Sequence, residues 1–221
     1  MKFSTNALIN IEYYRNMMGI DSLEQGTTEK IIGTINFVSN VFERFCNRTL
    51  KAQDFDYAET IIVDDVVIAN PVYSEKYAIF DGVNGNDFYF PTYPVNSVTT
   101  FLLNGDVITE ATDYDDFEGY HLYNSRGKLI YYGGFYPGYY RNIKFKWNGG
   151  YKTTDAEMEE LKFLCFDMVK TLMNTPLNSN LASERIGNYA YTNYSPSALK
   201  ELQGLNATVF AGLKRYRKEV I

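Results

Sequence analysis

The sequence is poor in the residues from which most catalytic and metal sites are built. Its 221 residues include one histidine, His121, and two cysteines, Cys46 and Cys165. A Ser-His-Asp or Cys-His relay would have to use His121, and no Gly-x-Ser-x-Gly motif accompanies it. One histidine and two distant cysteines do not form a usual zinc site, and no Walker A or Gly-x-Gly-x-x-Gly loop follows a predicted strand. The sequence therefore predicts no enzyme, no cofactor and no bound metal.

Long hydrophobic runs are missing as well. No apolar run approaches the roughly 18 residues that a membrane span requires. The N-terminus lacks the basic and then apolar pattern of a signal peptide. Cys46 and Cys165 fall on the apolar faces of predicted helices, as is typical of small buried side chains in a reducing compartment. We therefore expect buried free thiols and no contact with a membrane.

Aromatic and acidic residues, by contrast, are abundant. The chain contains 20 Tyr and 15 Phe, and tyrosine suits surfaces that become interfaces because it combines an apolar ring with a polar tip. The net charge is −6, and residues 51–120 contain 14 acidic but only two basic side chains. Such a chain is a poor non-specific DNA binder, because phosphates must be met by Lys and Arg. An acidic surface of this kind suits the wall of a channel through which DNA slides, or an interface between oppositely charged subunits. The alternative is that the acidic residues are simply exposed to solvent.

Helical periodicity appears on both sides of the acidic middle. The spacing of apolar residues predicts helices over 5–18, capped by Thr5 and ended by Gly19, and from Thr27 or Thr28 to about Cys46. A long helix is predicted from about Thr154 to Asn174. There Thr154 and Glu157 form a Thr-x-x-Glu capping box, and the apolar stripe is Met158, Leu161, Cys165, Met168 and Leu172. Shorter helices are predicted over 196–203 and 208–218, and the last one has Val209, Leu213 and Tyr216 on one face.

Between the second and the long helix, the pattern changes to short β-branched and aromatic runs separated by turn residues. Asn-Gly pairs between such runs predict hairpins, because both residues tolerate positive φ. The predicted strands are 60–68, 77–80, 87–90, 97–103, 107–108, 119–123, 128–132 and 142–147. The fold class that follows is α+β, a helical core with an inserted antiparallel β-subdomain. Its expected parts are an N-terminal helical hairpin (1–50), the β-insert (51–150), and a C-terminal part with the long helix, an arm and short helices (151–221).

Several stretches, in this order, resemble the head-tail connector (adaptor) proteins of tailed bacteriophages. Residues 29–50 resemble the second helix of that family, which ends in a Cys-Asn-Arg-like stretch (46–48). Tyr93-Pro94-Val95 resembles its strand after a hairpin, and 147–151 the strand that leads into its long helix. Residues 184–189 resemble its Glu-Arg-Ile-Gly-Asp-Tyr segment, with Asn188 in place of Asp, and 213–217 resemble its closing Leu-x-x-Tyr-Arg. The β-insert is longer and richer in Tyr than in small members of the family.

The resemblance implies a structural protein of the virion, located at the head-tail interface and in the host cytoplasm during assembly. Such adaptors form a ring, usually twelvefold, beneath the portal protein. The ring extends the DNA channel without sequence-specific binding and provides a platform for downstream tail or completion proteins. An acidic channel face would let DNA pass without sticking.

Two segments are predicted to make the contacts of such an assembly. Residues 176–195, with Glu184, Arg185 and Tyr189, are predicted to reach a neighbouring subunit, and a local surface loop is the alternative. The C-terminus is predicted to dock on the portal through an apolar end surrounded by cations, and a helix folded back on its own core is the alternative. The residues of this second interface are Lys214, Arg215, Arg217, Lys218, Val220 and Ile221.

Two other functions remain open. A carbohydrate-binding or glycan-degrading tail module would use the Tyr-rich insert and the acidic run Asp113, Asp115, Asp116 and Glu118, which could also clamp a cation. A solvated turn is the simpler interpretation of that run. Three strong helical stripes count against an all-β lectin. A minor capsid or tail-completion protein is the other alternative, and binding to a portal ring would distinguish it from an adaptor.

Overall fold

The computed structural model describes most of the chain as two compact units, one helical (Met1–Lys51 and Thr153–Ile221) and one built of β-strands (Ala52–Lys152). The predicted α+β class is confirmed, with helices and antiparallel sheets as separate elements. The described residues are 2–56, 61–63, 66–68, 79–81, 85–113, 115–135, 142–174, 204 and 206–218, with the backbone alone for 61–63 and 66–68.

The described residues of the helical unit form four α-helices, which are α1 (Ile11–Met18), α2 (Gln25–Cys46), α3 (Ala156–Asn174) and α4 (Ala207–Leu213). A 3-10 turn, Lys214–Tyr216, continues α4. The predicted ends at Gly19 and after Cys46 are confirmed, since Gly19 and Asn47 adopt the left-handed conformation that ends a helix. The helix predicted over 196–203 lies outside the described residues.

The predicted starts of the first three helices are wrong by one to six residues. Asn10 caps α1 instead of Thr5, because its side chain accepts a hydrogen bond from the Tyr13 N–H at 2.8 Å. The Thr28 hydroxyl donates to the Glu24 carbonyl instead of capping α2, which begins at Gln25. The Asp155 carbonyl accepts the first helical bonds of α3, so the Thr154–Glu157 capping box is one residue out of register.

The core of the helical unit lies between α2 and α3. The predicted stripe of α3 is buried along its whole length, as are Ile31, Ile35, Val38 and Phe42 of α2. The buried Ser39 hydroxyl accepts from the Leu8 N–H at 3.1 Å and donates to the Ile35 carbonyl. This bond fixes the extended segment before α1 against α2 and satisfies a buried backbone donor.

The β unit contains ten short strands in the described residues, joined by antiparallel pairings. One sheet has the order β1-β10-β6-β7, with β4 also paired to β10; another has the order β5-β9-β8; and β2 and β3 form a hairpin. The strands are β1 (Gln53–Phe55), β2 (Ile61–Val63), β3 (Val66–Ile68), β4 (Ile79–Phe80), β5 (Asp87–Tyr89), β6 (Val95–Leu103), β7 (Asp106–Val107), β8 (Tyr120–Tyr123), β9 (Lys128–Tyr131) and β10 (Ile143–Gly149).

Seven of the eight predicted strands each overlap one observed strand, with shifts of one or two residues at the ends. The exception is 60–68, which contains two strands paired at Val63 and Val66 instead of one. Residues 77 and 78 of the predicted strand 77–80 lie outside the described residues. Strand β1, which pairs with the end of β10, has no counterpart among the predicted strands. The Asn104-Gly105 hairpin is confirmed, with φ of 56° and 95° between the paired residues Leu103 and Asp106.

The five-stranded and three-stranded sheets pack through aromatic rings. Phe88 of β5 lies 4.9 Å from Phe145 of β10, and Phe101 of β6 lies 5.7 Å from Tyr120 of β8, measured between ring centroids. Phe55 stacks on Trp147 at 4.2 Å. The abundance of aromatic residues therefore serves first the interior of this unit, where large rings bury much apolar area.

Candidate functional site

The four described residues of the predicted C-terminal interface follow α4. Asn206 caps this helix by accepting from the Val209 N–H at 3.1 Å, and its amide donates to Asp167 of α3 at 3.0 Å. Val209, Phe210 and Leu213 are buried, and the Phe210 ring lies 5.1 Å from that of Phe45. The predicted apolar face of this helix thus packs on its own core.

The chain after α4 is fastened to the end of α2 by backbone groups. Arg48 Nε donates to the Tyr216 carbonyl at 2.7 Å, and the Lys218 N–H donates to the Cys46 carbonyl at 2.8 Å. Arg48 is only 6% exposed, which is rare for an arginine. No local pattern in the sequence points to this role of Arg48, because its partner is 168 residues away in the chain.

Two of the four C-terminal cations have contacts within the helical unit through their side chains. Arg215 forms an ion pair with Glu160 of α3, and its guanidinium lies 4.9 Å from the centre of the Tyr216 ring. The Tyr216 hydroxyl donates to Glu160 Oε2 at 2.8 Å. The Arg217 guanidinium lies 5.8 Å from the centre of the Phe45 ring. These contacts hold the side chains of both arginines against the helical unit.

Lys218 and Lys214 have different environments. Lys218 is half-buried, and burial lowers the pKa of its ammonium group, with the nearby Arg48 charge acting in the same direction. Lys214 is exposed on the last turn. The other predicted interface residues, Glu184, Arg185, Tyr189, Val220 and Ile221, lie outside the described residues.

A second polar cluster, centred on Glu43 in the last turn of α2, holds the segment that precedes α1. Glu43 accepts hydrogen bonds from the Asn6 side chain at 2.8 Å and from the Leu50 N–H at 3.1 Å. Burial raises the pKa of the Glu43 carboxyl, whereas these two hydrogen bonds and the Lys51 charge lower it by less. The carboxylate therefore links the segment before α1 to the segment after α2, and its burial costs part of its hydration free energy.

Asp116, His121 and the two cysteines, which the sequence offers for chemistry, are engaged in local hydrogen bonds or buried. Asp116 Oδ1 accepts from the Glu118 and Gly119 N–H groups at 3.0 and 3.3 Å and so closes its own turn. His121 Nε2 lies 3.1 Å from the Asp116 carbonyl oxygen. Cys46 and Cys165 are buried as predicted, and burial raises the pKa of both thiols to about 12. Protonated thiols of this kind are poor nucleophiles.

The described residues contain no group of three or more His, Cys, Asp or Glu side chains placed to hold a metal ion. In the same part of the chain, no helix has both the length and the apolar character needed to cross a membrane.

Exposed aromatic rings are concentrated on the outer face of the three-stranded sheet. Tyr89, Lys128 and Tyr123 are paired side by side across β5, β9 and β8, and the next row is Asp87, Ile130 and His121. Tyr132 continues this face after β9, and its ring lies 5.1 Å from that of Phe117. Tyr89, Tyr123, Tyr132 and Phe117 are all more than 40% exposed. We call these four residues the aromatic face.

The chain has a distant structural likeness to a protein of a virus-like particle. No protein family and no curated protein matches the chain. A chain in the solved neck of an empty GTA (gene transfer agent) particle, computed with C6 symmetry, is similar over 100% of this chain and 95% of its own length. The two are 10% identical, with a TM-score of 0.45.

Proposed function

We propose that this protein is a non-enzymatic head-tail adaptor of a tailed bacteriophage. It assembles as a ring, twelvefold in the arrangement usual for such adaptors, beneath the portal protein. The ring extends the DNA channel and provides the platform on which downstream tail or completion proteins attach. Its place is the head-tail interface of the virion.

The observation that carries this proposal is the way the helical unit is assembled from the two ends of the chain. Helices α1 and α2 precede the β unit, α3 and α4 follow it, and α2 packs directly on α3. The resemblance of the sequence to adaptors implies this order of a helical hairpin, a β-insert, a long helix and a basic C-terminal helix. The order of elements in the fold and the resemblance of the sequence therefore both support the adaptor class.

The surface chemistry is compatible with the proposal. Counted over the sequence, the β unit contains 14 acidic and seven basic side chains, a net charge of −7, whereas the helical unit has 13 acidic and 14 basic ones. A wall of that charge repels phosphate and lets DNA slide past it. The glycan alternative is less well supported, because the Asp116 carboxylate of the acidic run is occupied by its own turn.

Electron microscopy of the purified protein, alone and mixed with the portal ring of the same phage, tests the proposal. We expect closed rings that stack coaxially on the portal. A protein that stays monomeric in both samples is not a ring adaptor. Rings or monomers that never join the portal would favour the alternative of a minor capsid or tail-completion protein.

A further inference from the structure

The aromatic face is an unusual surface for a β unit that has already buried so many rings. Phe117 is 61% exposed and Tyr132 is 48% exposed, although their rings contact each other at 5.1 Å. By the alternation of β-strands, Tyr89 and Tyr123 point away from the interior that Phe88 and Leu122 face. Exposed rings gathered on one face, rather than scattered, mark a contact surface.

The charge beside this face indicates the chemistry of its partner. Asp115 and Glu118 lie within two residues of Phe117, and both are exposed. Aromatic rings and carboxylates both attract ammonium and guanidinium groups, through the ring quadrupole and through charge. Lys128, between Tyr89 and Tyr123 on this face, is paired with Asp87 at 2.7 Å, so the net charge beside the rings comes from Asp115 and Glu118. The face therefore suits a basic protein surface better than a neutral or acidic one.

The helical unit of the same protein offers such a surface. Its C-terminal turn contains four cations within five residues, Lys214, Arg215, Arg217 and Lys218. Arg215 and Arg217 lie against side chains of their own unit, and Lys218 is half-buried. Lys214 is exposed, and within the described residues no hydrogen bond or ion pair engages its ammonium group.

A ring requires each copy to present two different patches, one to each neighbour, because a head-to-tail contact is not self-complementary. We propose that the aromatic face of one copy binds the basic C-terminal turn of a second copy, with Lys214 against the carboxylates of Asp115 and Glu118. This inference rests on the ring of the proposed function and names one of its contacts. The rings exclude water from the contact, and the charges set its orientation.

A charge swap tests the pairing. Asp115→Lys and Lys214→Glu are each expected to weaken self-association by roughly tenfold or more, because like charges then meet across the contact. The double variant is expected to regain most of the association, measured by sedimentation velocity and mass photometry. Asp106→Lys on β7 and Lys30→Glu on α2 are matched charge reversals at exposed positions outside the contact, and both should assemble like the parent. Unchanged assembly of the single variants, or no recovery in the double variant, overturns the pairing.

The apolar part of the contact has its own test. Phe117→Ser combined with Tyr132→Ser should abolish ring formation while leaving the thermal unfolding midpoint of the monomer nearly unchanged, since both rings are exposed. Val107→Ser is the control, because Val107 is 67% exposed on the other sheet of the same unit. Rings formed by the double serine variant overturn the inference.

The outcomes separate this inference from the proposed function. If the parent forms rings on the portal and the variants do so equally well, the inference fails and the adaptor function stands. If the parent associates, the charge swap behaves as expected and no portal binding occurs, the contact stands and the adaptor function fails. A parent that never self-associates, with or without portal, contradicts both.

Discussion

Arg48 and Tyr216 join the two ends of the helical unit, with Arg48 Nε donating to the Tyr216 carbonyl oxygen at 2.7 Å. Arg48 follows the last residue of α2 by two positions, and Tyr216 ends the turn after α4. The bond fixes the C-terminal turn and at the same time satisfies a buried carbonyl. It therefore sets the position from which the end of the chain emerges.

Replacing Arg48 by Met should destabilise the protein by about 1–3 kcal/mol, because the buried Tyr216 carbonyl then loses a charged donor. Met keeps much of the apolar stem of arginine, so the loss reports on the polar contacts of the guanidinium group. The free energy of unfolding in urea measures the effect. Lys30→Met, at an exposed position of α2, is the control and should stay within about 0.5 kcal/mol of the parent. Equal stability of the two variants would contradict the role given to Arg48.

Leu161→Asp should cost several kcal/mol or prevent folding, since Leu161 is 0% exposed in the core between α2 and α3 and the new charge would have no partner. Phe42→Asp on α2 should behave in the same way. Phe163→Asp lies two residues along α3 from Leu161 on the exposed side of the helix and serves as the control. Circular dichroism and urea unfolding distinguish them. A normally folded Leu161→Asp variant would be incompatible with this core.

The stability contributed by Glu43 should decrease as the pH rises. Burial raises the pKa of the Glu43 carboxyl in the folded protein above the value in the unfolded chain, so folding favours the protonated form. The favourable contribution is complete below the unfolded pKa and is lost as the pH rises through the folded pKa. Glu43→Gln does not titrate, so its stability relative to the parent should increase as the pH rises above the ordinary glutamate pKa of about 4.3. Urea unfolding at several pH values measures this difference, and a constant or decreasing difference would exclude the assignment.

Arg185→Glu should weaken ring formation and leave the melting temperature of the monomer unchanged, if residues 176–195 reach a neighbouring subunit as the sequence predicts. Reversing the charge of Arg185 would then disturb the charge complementarity of the contact. Ring populations by mass photometry and monomer melting by calorimetry are the two readouts. Normal assembly together with a destabilised monomer would show that the arm is intramolecular.

Removing residues 219–221 should abolish binding to the portal without affecting folding. The cut is placed after Lys218 because the Lys218 N–H donates to the Cys46 carbonyl and belongs to the fold. If Arg215 and Arg217, rather than Lys214, dock on the portal together with the apolar end, binding of the parent should also weaken as salt increases. Surface plasmon resonance on immobilised portal measures both effects. Full binding by the truncated protein would place the portal contact elsewhere.

The sequence by itself predicted most of the elements and the ends of the helices. Three-to-four spacing located α2 and α3, and an Asn-Gly pair located the hairpin between β6 and β7, because helix periodicity and turn chemistry are properties of a few neighbouring residues. Helix starts were less accurate, since Asn10 and Thr5 are both good caps and only packing selects between them.

The tertiary structure decided which partner each element has and which side of each strand faces inward. Tyr131 and Tyr132 are neighbours of the same type, and alternation shows only that they point to opposite faces of the sheet. Tyr131 faces the interior because the five-stranded sheet packs on that side, where its ring lies 6.0 Å from Phe101, and Tyr132 is left exposed. Arginine is usually exposed, so the sequence alone places Arg48 on the surface. In the fold it is a buried hydrogen-bond donor, because its acceptor belongs to a residue 168 positions away. Contacts of that sequence separation arise only when the whole chain packs, so no local pattern encodes them.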